Sequence, residues 1–317
     1  MNRSRLSQGC FLGPLAIVGT LGACSAPEPS PPPPPPAPPP VAAPPAAAGR
    51  PPRATDGEAL RQARRHLEGG GREETCGPYR LWTDVAGAEA VELCRKLAAP
   101  LDITYQHRYG LRPRGEPAEG IFLFEKAEDF RAFARQRGRL RLGYAGFSDS
   151  SKGFVALAAD RPSIELARTL AHELTHLVSR RALGPGLSPW LSEGLADGIG
   201  DAAGVDGLGP LQGIRGVEGP AERLSSAFSL GRVPSLERLV ALRRDQFDGG
   251  IVSYDYEQSA LFVRYLLLDG ELGPRFRDLL ARMAQGERYS PELVRSCLGR
   301  SWAQLDDGME TWLAPLP

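Results

Sequence analysis

Residues 163–197 read SIELARTLAHELTHLVSRRALGPGLSPWLSEGLAD, and this stretch decides the fold. Ile164, Ala167, Leu170, Ala171, Leu174, Leu177 and Val178 recur at three- and four-residue intervals, the spacing of one apolar helix face. Ser163, after Pro162, stands where a helix cap is expected. The spacing predicts a helix over 163–183. Gly184, Pro185 and Gly186 interrupt it. Ser188-Pro189 then opens a second helix, predicted over 188–199, because proline suits the first helical position.

The first helix carries His172-Glu173-Leu174-Thr175-His176. Residues i and i+4 stack one above the other on a helix, so His172 and His176 address one point in space. With only four histidines in 317 residues, chance rarely sets such a pair beside a glutamate. Two imidazoles at this spacing can reach one Zn²⁺ at about 2.0–2.1 Å. Glu173 is rotated by about 100° from His172, so it can stand beside the metal as a base rather than a ligand. A catalytic zinc site keeps three protein ligands and one open position. Glu193, 17 residues after His176, is the candidate third ligand. Asp197, one turn further on, can accept the second ring N–H of a ligand histidine and fix its tautomer. A solvated helix face is the plain alternative for both carboxylates.

Working outward, the pattern is strands first and helices after, which predicts an α+β domain. Strands are expected at 79–85, 120–124 and 153–158, and helices at 88–99 and 127–137. After residue 163, helices are expected at 221–229, 235–244, 256–269, 274–284 and 291–298, with a glycine-rich loop over 198–219. A short helix over 56–68 ends at Gly69-Gly70-Gly71. We therefore divide the chain into a helix and glycine linker over 54–72 and a domain over 73–317. That domain has an α/β part over 73–160 and a helical part over 161–317.

The N-terminal segment reads as address and tether. Arg3 and Arg5 precede an apolar run from Phe11 to Ala23, too short to span a bilayer, which takes about 20 residues. Residues 1–23 have the layout of a secretory signal peptide. Leu21-Gly22-Ala23-Cys24 resembles the bacterial lipobox, in which the cysteine is lipidated. Ordinary cleavage near Ala23 is the alternative. Residues 24–53 form a proline-rich spacer, with 15 of the 30 prolines at 27–53, a composition that favours extended polyproline II. These features imply a bacterial cell-envelope protein held outside the cytoplasm by an N-terminal lipid. An oxidising compartment permits a disulfide, and Cys76–Cys94 is the candidate pair because both lie in one short segment.

Charge narrows the function. Lys+Arg and Asp+Glu are both 38, which speaks against a nucleic-acid binder. The first 53 residues hold four of the basic and one of the acidic side chains, so the remaining 264 carry 34 positive and 37 negative charges. No glycine-rich loop after a strand suggests a nucleotide.

The run His172-Glu173-x-x-His176 followed by Trp190-Leu191-x-Glu193-Gly194-x-Ala196-Asp197 resembles the gluzincin metallopeptidases, and within them the bacterial peptidase-MA-like group. Strict matches span about 26 residues (172–197). A looser resemblance runs from Tyr79 to Leu267. It includes Ala145-Gly146-Phe147 and Tyr256-Glu257-Gln258-Ser259-Ala260. The resemblance implies a zincin-like fold, one zinc ion on His172, His176 and Glu193, and hydrolysis of a peptide or protein substrate. It implies Glu173 as general base and Tyr256 as the hydroxyl that steadies an oxyanion. On the residues alone Tyr254 is an equal candidate. The related aminopeptidases carry an acidic residue on the strand before the metal helix. Lys152-Gly153-Phe154-Val155-Ala156-Leu157 has none, so an endopeptidase is expected. A non-catalytic envelope lipoprotein using this fold as a binding module is the alternative. Glu173 separates the two, since a binding module has no need of it.

Overall fold

Two five-residue runs, Gly120–Phe124 (GIFLF) and Phe154–Ala158 (FVALA), are buried at every position, as strands covered on both faces must be. They form the centre of a five-stranded sheet in the computed structural model. The structure describes residues 56–115, 120–139, 145–206, 224, 227, 231–247 and 254–314, all within the unit Pro52–Pro317. The signal peptide, Cys24 and the proline tether lie outside the described residues. Among the described residues no helix is long and apolar enough to cross a membrane.

The strands are β1 (Arg72–Cys76), β2 (Tyr79–Thr83), β3 (Gly120–Phe124), β4 (Gly146–Asp149) and β5 (Phe154–Ala158), in the order β1-β2-β3-β5-β4. β2, β3 and β5 run parallel, with Leu81 opposite Ile121 and Ile121 opposite Val155. β1 and β4 are antiparallel edges, Cys76 facing Tyr79 and Asp149 facing Phe154.

Alternation along the strands feeds two cores. Leu81, Ile121, Leu123, Val155 and Leu157 point to one face, and Trp82, Phe122, Phe124, Phe154 and Ala156 to the other. The second face is covered by α1 (Asp56–His66) and α4 (Ala127–Gln136), through Ala59, Ala63, Phe130 and Phe133. The boundary expected near Glu73 therefore moves upstream. Residues 56–67 are packed body rather than linker, because Ala59, Ala63 and Leu67 bury one face of that helix.

The first face is covered by α2 (Ala88–Ala98), α3 (Leu101–Tyr109) and α5 (Ser163–Leu183). α6 (Pro189–Asp206) returns along α5, and α7 (Leu236–Ala241), α8 (Arg244–Phe247), α9 (Asp255–Leu268), α10 (Leu272–Ala284), α11 (Pro291–Leu298) and α12 (Trp302–Leu313) complete the helical half. The molecule is thus mixed α and β, with the α+β order expected.

Several expectations change. Ser163 is the first residue of α5 and Pro162 takes the cap position with no side-chain hydrogen bond. Ile164 is 60% exposed, so the buried face begins at Leu166. The helix expected over 235–244 is two short ones, α7 and α8. Of the helix expected over 221–229, only residues 224 and 227 are described, both helical. The loop expected from residue 198 is helical as far as Asp206. Gly198 and Gly200 serve close packing there: a Cβ would stand 3.0 Å from the Tyr109 hydroxyl and 3.0 Å from the Arg168 carbonyl, respectively. The strand expected over 153–158 is β5, between β3 and β4. It is interior, hydrogen-bonded on both sides, and the edge is β4.

Candidate metal centre

α5 and α6 supply the donors. α5 leaves the sheet directly after β5 and is buried along Leu170, Ala171, Leu174 and Leu177, which fixes its rotation. His172 and His176 then sit side by side, ring centroids 4.8 Å apart and planes at 83°. Their Nε2 atoms are 3.1 Å apart. Glu193 comes from α6, oriented by the fully buried Trp190, Leu191 and Leu195 around it. Its Oε2 lies 3.4 Å from Nε2 of His172 and 3.6 Å from Nε2 of His176. The three donors therefore converge on one point, and this buried group could hold a metal ion.

The other ring nitrogens are held from behind. Nδ1–H of His172 donates to Oδ1 of Asp197 at 2.9 Å, since a carboxylate can only accept. Nδ1 of His176 lies 3.0 Å from Oγ of Ser192, which can accept a hydrogen bond from a ring N–H. With both Nδ1 atoms so engaged, both Nε2 atoms face the shared point. Arg244, from α8, places Nη1 2.7 Å from Oε1 of Glu193.

Burial and charge work against each other here. Burial opposes a charged His172, but Asp197 and Glu193 outweigh it and hold its pKa well above the ordinary imidazole value. Burial lowers His176, and the neighbouring His172 acts in the same direction. Burial also opposes ionised Glu193, yet the two histidines and Arg244 keep that carboxyl well below the usual range.

The group opens into a cleft of about 960 Å³ walled by β4, α5, α6 and Arg244. Glu173, buried to 8% exposure, and Tyr256 both line it, whereas Tyr254 does not. The Tyr256 ring rests edge-on against Phe247, centroids 4.7 Å apart. β4 brings Asp149 to the wall. Its carboxylate accepts from the Ser151 hydroxyl at 2.6 Å, from the Lys152 amide at 3.1 Å and from Arg137 at 3.4 Å.

No protein-family model matches the chain, and no curated protein matches it.

The structure thus brings His172, His176, Glu193, Asp197, Glu173 and Tyr256 to one place. Cys76 and Cys94 also meet, both buried and both free thiols, with the Cys94 thiol pushed up in pKa by its hydrogen bond with Cys76 and by burial. Asp255, the first residue of α9, is 4% exposed and pairs with Arg238 at 3.5 Å. Two residues escaped the sequence reading. Ser192 was visible as the neighbour of Glu193 on a helix facing the histidines. Arg244 gave no local signal, because the fold brings it from 51 residues away.

Proposed function

We propose that this chain is a zinc metalloendopeptidase with a zincin-like fold of gluzincin type, tethered to the bacterial envelope by its N-terminal lipid. The observation that carries the reading is the directed donor set: two imidazoles fixed from behind by Asp197 and Ser192, with a carboxylate oxygen at the same point. The donors fit a small tetrahedral ion. Ligands at about 2.0–2.1 Å from such a centre stand about 3.3–3.4 Å apart, and the three separations are 3.1, 3.4 and 3.6 Å. Two histidines and a glutamate suit zinc better than calcium or magnesium, which prefer oxygen alone.

Zinc bound there would acidify a water and polarise a carbonyl oxygen. His172, His176 and Glu193 would hold it. Glu173, at the cleft wall, would accept the proton of the attacking water and return it to the leaving amine. The Tyr256 hydroxyl would donate to the oxygen on which charge develops. Asp149 is the acidic residue of the edge strand, and Ser151, Lys152 and Arg137 already occupy it. It is not offered to a substrate's terminal amine, which favours cleavage within a chain. The envelope location rests on the lipobox-like Leu21-Gly22-Ala23-Cys24 and the proline spacer.

The test is metal content of the purified full chain beside His172→Ala, followed by a peptide-cleavage screen with Glu173→Gln as the blank. About one zinc per chain is expected in the parent and none in His172→Ala. Glu173→Gln should keep zinc and lose about 10²–10⁴-fold in rate. A parent that takes up no zinc when supplied with it at neutral pH, or a Glu173→Gln variant that still cleaves, overturns the reading.

A further inference from the structure

The two oxygens of Glu193 have different surroundings. Oε2 faces both histidines, while Oε1 is held by Arg244 Nη1 at 2.7 Å. The glutamate side chain is 6% exposed, so water does not freely replace the guanidinium at Oε1. The short helix that carries Arg244 is anchored by its neighbours. Phe247, three residues on, is fully buried and rests against Tyr256. The Arg243 amide donates to Oε1 of Gln246 at 3.0 Å, closing the turn. One four-residue helix therefore touches the metal-side carboxylate with Arg244 and the cleft tyrosine with Phe247.

We propose that Arg244 is a positioning residue of the metal centre, binding Oε1 of Glu193 so that Oε2 alone is presented to the ion. This rests on the zinc reading above. A carboxylate free to use both oxygens can occupy two positions around a metal. One whose second oxygen is engaged by a guanidinium occupies one and leaves room for water. Arginine suits this task because its charge is permanent and its planar fork aims the N–H at a carboxylate oxygen. Partners behind the ligands typically change metal affinity by about 10–100-fold when removed.

The test uses the full chain with Arg244→Gln and Arg244→Lys, read by competitive chelator titration with zinc and by the visible absorption of the cobalt-substituted protein. Arg244→Gln should lose about 10–100-fold in zinc affinity, and its cobalt spectrum should weaken as the coordination number rises. Arg244→Lys, which restores a cation, should recover part of both. Thermal unfolding of the metal-free forms shows whether the variants remain folded, as expected for a side chain 50% exposed. If the parent binds zinc and Arg244→Gln binds it equally with an unchanged cobalt spectrum, the positioning role alone falls. If the parent binds no metal, the zinc reading falls and takes this proposal with it.

Discussion

Replacing Gly194 with alanine tests the assembly of the site without touching any of its polar groups. Gly194 follows Glu193 on α6, at the crossing with α9. A Cβ built there would stand 2.6 Å from the carbonyl oxygen of Ser259 and 2.6 Å from Cγ2 of Val263. Contacts under 3.0 Å are not sustained by real Cβ atoms, so the two helices must part by about 0.4 Å or more. The carbonyl belongs to the α9 backbone and cannot turn aside as a flexible side chain would. Overpacking of this kind costs about 1–3 kcal/mol. Alanine recovers about 1 kcal/mol of helix propensity over glycine. The net expectation is a loss of up to about 2 kcal/mol, or a Tm lower by up to about 8 °C in a body of this size. Because α6 carries Glu193, affinity at the proposed metal site should fall too. Gly270→Ala is the control, since nothing lies within 4 Å of its Cβ and its φ is not positive. It should be neutral or stabilising by up to about 1 kcal/mol. Calorimetry of both variants, with chelator titration, reads the comparison. A Gly194→Ala protein as stable as the parent, with unchanged affinity, would refute so close a crossing of α6 and α9.

Asp197→Asn should lower zinc affinity by about 10–100-fold, because an amide oxygen accepts more weakly than a carboxylate from Nδ1 of His172; an unchanged titration would show that the 2.9 Å contact does not orient the ligand. In the metal-free chain His172 titrates above, and His176 below, the ordinary imidazole value, which imidazole NMR can read directly. The charged His172 then stabilises the metal-free fold fully below its unfolded pKa of about 6.5, and that contribution is lost as pH rises through the higher folded value. Between those two values, metal uptake at the proposed site would expel this proton, so calorimetry with zinc in buffers of different ionisation enthalpy should show release of about one proton, reduced in Asp197→Asn. Release unaffected by that substitution would assign the proton elsewhere.

The helices around the site could be read from the chain because their packing is one-sided. Leu170, Ala171, Leu174 and Leu177 repeat at helical spacing, and α5 follows that repeat to Leu183. The histidines and Glu193 sit on consecutive helices joined by a short turn, so spacing alone brings them together. What failed to show depended on distant partners. Gly198 and Gly200 look like loop residues until α3 and α5 are seen pressed against them. The edge of a sheet is a fact of strand order, and neither Phe154–Ala158 nor Gly146–Asp149 announces which of them is outermost. Arg244 is one arginine among many until α8 is set beside Glu193. By contrast, Ser301 and Gln304 form a capping box at the start of α12. That signature is local, and a helix over 302–313 could have been expected from it.

The directed donor set also bears on why the body is built as it is. Two imidazole nitrogens 3.1 Å apart, with a carboxylate 5% exposed beside them, form an arrangement that hydration would scatter if the backbone allowed it. Buried polar groups without satisfied partners are costly, and here Asp197, Ser192 and Arg244 supply partners from behind. The elements that hold the donors are packed on two sides. α5 is packed between the sheet and α6, and α6 between α5 and α9, with Gly200 facing the α5 backbone and Gly194 the α9 backbone. Close packing of this kind suits donor positions that must hold to within a fraction of an ångström. A surface for recognising a flexible partner has no such need, whereas a centre that fixes an ion and a water against a peptide carbonyl does. The placement of Gly194 and Gly200 at the helix crossings is, on this argument, as much a part of the site as the histidines.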